Sequence, residues 1–396
     1  MTTRINDPLT DFLGTAYDPQ TQTFDGEAAE KEAFENKEKL NVIIFGATGV
    51  GKSTLINTFF GSEKVKAGKG RPVTQHLEKI ELPKNGVTLW DTKGIESQDY
   101  KNTIEQLKNE LKQSFDTGSE LDDVPHLGWL CMDASGGRIE DRDMELIRII
   151  RDYNLPLVIV FTKVTADEHE EFIDIAMQEI IAAFGSDMVG RHVAVNSVEA
   201  KRRGKVIEEV FGLDDLLDLS IKSIPEGHLR ARNALKKSQN VRMKLRLDTM
   251  SSGARMIVHA ASVAAAAIGA SPIPGSDAPL IAAAQSTMIY KINAEFELDA
   301  EAAKATTVIS GILATTAIAS LGKTVVSNAL KFIPVAGTLI GGAVSAATAM
   351  AITQAIGHAY IQVLVSFFND KSGKVELPEN ALEILSEFKK VFSFKP

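Results

Sequence analysis

The chain has 396 residues, a net charge of −9 and a single cysteine, Cys131. This length is sufficient for two or three domains, and one cysteine excludes an intrachain disulfide and is expected in the core. Residues 1–40 are polar and rich in acidic side chains, which does not resemble a secretory signal and favours a cytoplasmic location. The negative charge, without a second basic patch that carries aromatic residues, disfavours nucleic acid as a partner.

The N-terminal segment carries no motif. Residues 1–38 are predicted to form an extension that is flexible or draped over the surface, with a short charged helix over residues 28–38. Patterned sequence begins after this extension, at Lys39.

A strand, a glycine-rich loop and a helix follow between residues 40 and 60. The apolar run Leu40–Phe45 predicts a buried strand, and residues 54–60 have helical spacing. Residues 46–53 have the pattern G-x-x-x-x-G-K-S, in which backbone N–H groups and a helix N-terminus surround a polyphosphate. The predicted nucleotide-binding residues of this loop are Gly46, Thr48, Gly49, Val50, Gly51, Lys52, Ser53 and Thr54.

A D-x-x-G motif follows the next predicted hairpin, whose turn is Asn85-Gly86. In a nucleotide switch the Asp of this motif holds the Mg²⁺ shell, and its Gly N–H meets the γ-phosphate. A threonine in the preceding polar loop is placed to add its hydroxyl to the metal. We therefore predict Mg²⁺ as cofactor. Its predicted ligands are Ser53, Thr74 and Asp91, and the predicted catalytic groups are Lys52, Thr74 and Gly94.

In this order and spacing the motifs resemble those of the Era-like branch of the translation-factor class of P-loop GTPases. The resemblance implies an α/β GTPase domain with a mixed six-stranded sheet. It also implies binding of GTP and GDP, and hydrolysis of GTP to GDP with Mg²⁺. Many GTPases place a Gln after D-x-x-G to orient the attacking water, whereas this chain has Ile95 there, so slow turnover is expected.

Other residues are candidates for the missing catalytic functions. Thr92, Glu96 and Gln98 are candidates for orienting the water. Arg71 and Arg138 are candidates for stabilising charge, in cis or from a second protomer, which leaves a homodimer through the GTPase domain open. For both arginines a solvated surface position is the favoured interpretation.

The base-binding motif of the family, N/T-K-x-D, is only partly present. Thr162 and Lys163 match its first two positions, but Thr165 stands where the family has Asp. A neutral hydroxyl lacks the charge-assisted double acceptor that reads guanine, although Asp167 follows two residues later. The last base-binding segment has Asn196 and Ser197 where the family has S-A. GTP remains the predicted nucleotide, with relaxed base selectivity left open.

The predicted strands and helices form a nucleotide-binding α/β domain. The strands lie near residues 40–46, 76–82, 87–91, 127–133, 157–162 and 192–197. The helices lie near residues 52–60, 101–116, 139–153, 167–184 and 213–223. All of the motifs then fall at the carboxyl ends of the strands, where such folds bind ligands.

The composition changes near residue 225, which divides the chain into a GTPase domain (39–225) and a helical domain (226–396). Residues 226–396 carry a net charge of +5, so the rest carries −14. The basic residues concentrate between His228 and Leu247, a stretch without acids that predicts a long linker helix. The favoured interpretation is a solvated helix packed on the GTPase domain. Attraction to an anionic membrane surface is the alternative, and nucleic-acid binding is least favoured.

Three later stretches carry no formal charge: Met256–Ser276, Ala305–Gly322 and Phe332–Asn369. The last is long enough to span a bilayer, but Gly, Ser and Thr dilute it, so a soluble bundle with apolar hairpins is favoured over membrane helices. Ser271–Leu280 followed by Gln285–Ile292 resembles a helical module of unknown function found after many bacterial Era-like domains. The module is more distantly similar to the helical part of immunity-related GTPases.

Two classes of function follow. The first is a GTPase switch whose nucleotide state is coupled to the helical domain. The second is a membrane-associating or assembly protein in which nucleotide is a structural regulator and turnover is negligible. A peripheral position at the inner face of a membrane is compatible with either class.

Overall fold

The computed structural model describes residues 8–21, 23–36, 38–61, 71–72, 77–82, 86–92, 100–117, 124–202, 205–269, 277–298 and 346–392. They divide into two compact units. Glu38–Arg246 form the first, which we call the sheet unit, and Met1–Lys37 with Leu247–Pro396 form the second, which we call the helical unit.

The described strands and helices are numbered in chain order. The strands are β1 (Tyr17–Asp18), β2 (Thr23–Phe24), β3 (Leu40–Phe45), β4 (Arg71–Pro72), β5 (Leu77–Leu82), β6 (Val87–Thr92), β7 (Leu127–Asp133), β8 (Leu157–Thr162), β9 (His192–Ala194), β10 (Ala200–Arg202), β11 (Lys205–Glu208), β12 (Phe368–Asn369) and β13 (Lys374–Val375). The α-helices are α1 (Pro8–Leu13), α2 (Gly26–Glu35), α3 (Lys52–Phe60), α4 (Tyr100–Thr117), α5 (Asp141–Asp152), α6 (Asp167–Phe184), α7 (Leu213–Ser223), α8 (Leu229–Ser238), α9 (Met243–Gly269), α10 (Asp277–Glu295), α11 (Ala346–Ser366) and α12 (Ala381–Phe392).

The sheet unit is organised around one twisted sheet with the strand order β4-β5-β6-β3-β7-β8-β9. Strand β5 pairs antiparallel with β4 and β6, and the other neighbouring strands are parallel. Every residue of the central strand β3 is buried, as expected when helices cover both faces of a parallel sheet. Its side chains alternate between the two cores, with Val42 and Ile44 in one and Ile43 and Phe45 in the other.

The predicted fold class is confirmed. Each of the six predicted strands is present, and β4, only two residues long, adds a seventh at the edge. Helices α3 to α7 correspond to the five predicted helices. Residues of α3, α7 and α8 share a core with one face of the sheet, and residues of α4, α5 and α6 share a core with the other.

The predicted linker helix is instead two helices, α8 and α9, separated by a turn at Gln239. The Gln239 side chain is fully buried, and its Nε2 donates to the carbonyls of Lys236 (3.1 Å) and Arg242 (2.9 Å). Its Oε1 accepts from the backbone N–H groups of Val241 (2.6 Å) and Arg242 (2.7 Å). This one amide satisfies backbone groups on both sides of the turn, which the charge pattern of the sequence does not reveal.

Two basic residues of this segment, Lys237 and Arg242, make ion pairs within the sheet unit. Lys237, almost fully buried, pairs with Glu38 at 2.9 Å, at the start of the segment that leads into β3. Arg242 pairs with Asp214 at 2.7 Å and with Asp218 at 2.6 Å, both on α7. These contacts favour the interpretation that the basic segment packs on the sheet domain.

The turn between α8 and α9 also meets the helix that follows the glycine-rich loop. The backbone N–H of Asn240 donates to the carbonyl of Phe59 at 2.7 Å, in the last turn of α3. This bond satisfies a carbonyl that a helix C-terminus otherwise leaves open. The compact sheet unit therefore extends to Arg246, beyond the boundary expected near residue 225.

The helical unit includes the N-terminal segment. Leu9, Phe12 and Leu13 of α1 are buried in the same core as residues of α9, α10 and α11. The Lys291 ammonium donates to the Phe12 carbonyl at 2.7 Å and lies over the Phe12 ring. Residues 8–36 are therefore packed through apolar contacts rather than draped, because α1 places its large side chains in that core.

Helices α9, α10 and α11 share a core in which alanines lie among larger apolar side chains such as Met288, Ile292 and Tyr360. Their shared core includes Ala254, Ala261, Ala265, Ala284 and Ala359. No helix in the described ranges combines the length and apolarity needed to cross a bilayer. The apolar stretch Ala305–Gly322 and the first part of Phe332–Asn369 lie outside the described residues.

Candidate nucleotide-binding site

The glycine-rich loop curls tightly between β3 and α3. A Cβ atom on Gly46 would lie 2.5 Å from the carbonyl oxygen of Cys131 on β7, so no larger residue fits there. Gly51 has φ of 100° and is the residue from which α3 starts. The loop thus directs its backbone to the N-terminus of a nine-residue helix, where unpaired N–H groups and the helix dipole favour an anion.

Lys52 is the first residue of α3, and its ammonium lies inside this loop. Nζ donates to the carbonyl oxygens of Gly46 (2.8 Å) and Ala47 (3.1 Å), and the residue is only 9% exposed. Ser53 and Thr54, which follow in the first turn of α3, are exposed. The loop therefore presents one fixed positive charge and two hydroxyls at the predicted phosphate position.

Cys131 lies beneath the loop and is buried, as predicted. Burial raises the pKa of its thiol to about 12, with Lys52 opposing the rise and Asp91 adding to it. Both charged groups therefore lie close enough to Cys131 to act on it electrostatically. A thiol with this pKa stays protonated at neutral pH and serves as a core residue.

Asp91 lies at the carboxyl end of β6, paired in register with Ile44 two residues before Gly46. The register places its half-buried carboxylate beside the strand that carries the loop. The next residue, Thr92, is buried, and its hydroxyl donates to the Ile44 carbonyl at 3.1 Å. The Thr92 hydroxyl thus links β6 to β3.

Several residues named in the sequence analysis lie outside the described residues. They are the predicted catalytic residues Thr74 and Gly94, the water-orienting candidates Glu96 and Gln98, and Ile95. The backbone of Arg71 lies in the edge strand β4. The Arg138 side chain is 79% exposed, with Glu140 at 3.8 Å, which agrees with a solvated surface position.

The predicted base-binding segment is hydrogen-bonded to the loop. The buried Thr162 hydroxyl contacts the carbonyl oxygens of Val50 (2.5 Å) and Met132 (3.1 Å), and so links β8 to the loop and to β7. Lys163 follows with φ of 58°, an uncommon conformation for a residue other than glycine. Its Nζ lies 2.5 Å from Oδ2 of Asp133, a residue that sequence reasoning did not single out.

Asp133 is the last residue of β7 and lies opposite Thr162 in the parallel register. Burial works against its charged form, but hydrogen bonds from Lys163 and Ser135 outweigh that effect and hold the Asp133 pKa below its usual value. One signal in the sequence could have identified it, namely a carboxylate at the carboxyl end of a central strand.

The family's missing aspartate is not replaced at the same position. Thr165 is exposed, and its backbone N–H donates to Nδ1 of His169 at 3.1 Å in the first turn of α6. Asp167 is the first residue of α6 and is exposed. Both groups lie in the loop and helix start that follow Lys163.

The last predicted segment reaches the site through its backbone. The buried Asn196 donates through Nδ2 to the carbonyls of Val198 (3.0 Å) and Glu209 (2.8 Å), so its side-chain nitrogen holds the neighbouring hairpin. The Ser197 carbonyl accepts from the Thr58 hydroxyl on α3 at 3.0 Å. The structure therefore links Thr162 to the loop and the Asn196-Ser197 segment to α3, the helix that follows the loop.

The mixed sheet and the lysine-bearing loop define a P-loop GTPase domain. Residues 41–163 match a family model described as 50S ribosome-binding GTPase. Residues 231–390 match a second model, described as Domain of unknown function (DUF697). The second match begins within α8, which belongs to the sheet unit.

Curated relatives agree with this class at low identity. The chain is 28% identical over 193 residues to GTPase Der of Coxiella burnetii (strain Dugway 5J108-111), a match that covers 44% of this chain and 41% of Der. It is 29% identical over 137 residues to Interferon-gamma-inducible GTPase 10 of Mus musculus, covering 33% of this chain and 29% of that protein. The chain thus spans less than half the length of these relatives.

One solved structure that resembles the chain is that of a probable GTP-binding protein engB. The two are 18% identical, with a TM-score of 0.34, and the match covers 46% of this chain and 98% of the engB chain. Era from Aquifex aeolicus bound to GDP and AlF4− gives 20% identity, a TM-score of 0.31, and coverage of 55% and 67%. The two family models confirm the predicted resemblance to a P-loop GTPase domain followed by a helical module of unknown function.

Proposed function

We propose that this protein is a guanine-nucleotide-binding switch that hydrolyses GTP to GDP with Mg²⁺ and couples its nucleotide state to the helical unit. The observation that carries the proposal is the Lys52 ammonium, buried inside the glycine-rich loop at the start of α3. A charge held there costs little further reorganisation when it meets a polyphosphate. In this proposal backbone N–H groups of residues 46–54 bind the phosphates, and Lys52 stabilises charge on the β- and γ-phosphates.

The oxygen donors near the loop suit Mg²⁺, which prefers carboxylate, hydroxyl and phosphate ligands. We assign Ser53 and Asp91 to it, with Thr74 as a third protein ligand. When bound, the ion neutralises charge that develops on the phosphates. The Gly94 N–H is proposed to contact the γ-phosphate.

The nucleotide base is proposed to stack on the Lys163 side chain and to contact the Asn196-Ser197 backbone on its other side. Because Thr165 brings no carboxylate, the preference for guanine over adenine is expected to be weaker than in family members with the complete motif. Ile95 offers no polar group to orient a water, so we expect slow turnover without a partner.

The alternative, membrane association with negligible turnover, relied on a free basic segment before the apolar hairpins. Lys237 and Arg242, two of its cations, are instead paired with acids of the sheet unit. A membrane contact through these two cations would break those pairs, which argues against the membrane part of the alternative.

Isothermal titration calorimetry with GTP and with ATP tests the proposal. We expect Lys52→Ala to weaken GTP binding by about a hundredfold or more, since the loop loses its buried charge. Lys222→Ala, which removes an exposed lysine of α7, is the matched control and should bind like the wild type. A Lys52→Ala protein with wild-type affinity for GTP would refute the assignment of the loop.

Phosphate release separates the switch from its alternative. The wild-type protein should release phosphate from GTP slowly in the presence of Mg²⁺, and EDTA should abolish the release. GTP binding without any Mg²⁺-dependent release would favour the regulator with negligible turnover.

A further inference from the structure

We infer that Asp133 is a positioning residue for the nucleotide base, acting by holding the Lys163 side chain beside the glycine-rich loop. The inference rests on the proposed function, because it concerns how the same site prepares its base-binding surface. Neither the sequence motifs nor the family resemblance assigned Asp133 a role.

The first observation is a chain of polar contacts with Asp133 at its centre. Its Oδ2 lies 2.5 Å from Nζ of Lys163. Its Oδ1 accepts from the backbone N–H of Ser135 at 3.0 Å and from the Ser135 hydroxyl at 2.6 Å. One oxygen therefore fixes the carboxylate to the turn after β7, and the other holds the ammonium.

The second observation is where this pair lies. Asp133 and Thr162 are opposite each other in the parallel register, and Thr162 is hydrogen-bonded to the loop through Val50. A Cβ on Gly51 would lie 3.9 Å from Cε of Lys163, so the lysine stem passes beside the loop. The ion pair thus joins the residues at the ends of β7 and β8, next to the point where Thr162 is bonded to the loop.

The third observation is the exposure of the lysine. Its side chain is 44% exposed, although its ammonium is paired, so part of the methylene stem is open to a ligand. An apolar stem with its charge held to one side is a surface on which a planar base can stack. A free lysine would have to lose rotamer entropy when the nucleotide binds, and the Asp133 contact removes part of that cost beforehand.

Asp133→Asn is the informative variant, because asparagine keeps an oxygen that can accept from Ser135 and removes the charge that holds Lys163. We expect it to weaken GDP and GTP binding by the same factor, about three- to tenfold, since both ligands share the base. Ser135→Ala removes one bond to Asp133 but leaves the ion pair, and should have a smaller effect. Thermal unfolding followed by tryptophan fluorescence should be nearly unchanged in both variants.

A double-mutant cycle with Lys163→Met separates positioning from a structural role. If Asp133 acts through Lys163, adding Asp133→Asn to Lys163→Met should cause no further loss of affinity. The same loss in both backgrounds, wild-type affinity in Asp133→Asn, or a loss confined to GTP would each overturn the inference while leaving the proposed function standing. A wild-type protein that binds no guanine nucleotide would overturn both.

Discussion

The two units of this protein each contain one contact that shows how closely their elements pack. In the sheet unit, Trp129 packs edge to face on Phe59 with ring centroids 5.0 Å apart. In the helical unit, α9 and α11 approach so closely that a Cβ on Gly357 would lie 2.4 Å from Cγ2 of Val258. The sheet unit fills the space between α3 and the sheet with large rings, whereas the helical unit brings two helices close together at a glycine.

This difference in packing predicts which substitutions destabilise each unit. A core of large side chains is damaged when a side chain is removed, because a cavity remains. A close helix contact at a glycine is damaged when that residue is enlarged, because the helices must separate. The chain's two tryptophans, Trp90 and Trp129, both lie in the sheet unit, so tryptophan fluorescence follows that unit alone.

The largest effect should come from Phe59→Ala, which removes a fully buried ring between α3 and the sheet. We expect a loss of about 3–5 kcal/mol in the free energy of unfolding, from lost burial and the cavity left behind. Urea unfolding followed by tryptophan fluorescence measures it. Val189→Ala, at a 63% exposed site of the same unit, is the control and should change stability little. Equal stabilities for the two variants would contradict the account of this core.

An intermediate effect should come from enlarging Gly357. Gly357→Val is expected to destabilise the helical unit by about 1–3 kcal/mol, because Val258 and Met288 occupy the space that the new side chain needs. Thermal unfolding followed by far-UV circular dichroism measures the change.

Gly253→Ala is the matched comparison within the same unit. The atoms nearest to its added Cβ would be Oε1, Cδ and Cγ of Glu295, the outer part of a flexible side chain, and alanine favours the helix more than glycine does. We expect a change close to zero. If Gly253→Ala destabilised the protein as much as Gly357→Val, close helix approach would not explain either result.

The smallest effect concerns pH, and here both units should behave alike. Burial lowers the pKa of His192 in the sheet unit, with Asp174 opposing the shift. Burial also lowers the pKa of His358 on α11, and Arg255 adds to that shift. In the unfolded chain these histidines have a pKa of about 6.5 and bind protons more readily than in the folded protein. The stability that folding gains by keeping them neutral is therefore fully present above that pH.

Acidification should therefore remove the stabilisation as the pH falls from about 6.5 towards the lower pKa values of the folded state. Urea midpoints measured between pH 8 and pH 5 should decline, and His192→Gln should reduce the decline seen by tryptophan fluorescence. A urea midpoint that rose between pH 8 and pH 5 would contradict this prediction.

Local patterns predicted the sheet unit well. The strand Leu40–Phe45, the glycine-rich loop and the helix after it depend on residues that are close in sequence, so motif and periodicity were sufficient. Thr162 and Lys163 were identified by resemblance, but Asp133 was missed because its importance comes from the register of β7 against β8. Strand register is a tertiary property that no short motif records.

The basic segment and the N-terminal segment also make contacts that local sequence patterns do not predict. The partner of Lys237 is Glu38, and the core that receives Phe12 is built mainly from residues beyond 247, so neither contact has a local signal. The charge pattern identified a basic helix but not that a buried glutamine would divide it, because the partners of Gln239 are backbone groups.

The contact between Asn240 and the end of α3 determines where the sheet unit can be truncated if it is to be expressed or fused on its own. A chain cut at residue 225 would keep every nucleotide motif yet lose the Asn240 N–H that meets Phe59, and the Lys237 partner of Glu38. It would also uncover the core positions that Ala231, Ala234 and Leu235 fill on the sheet. A fragment designed to fold separately should therefore end near residue 246. Residues 226–246, which the sequence predicts to be a linker, are part of the compact sheet unit.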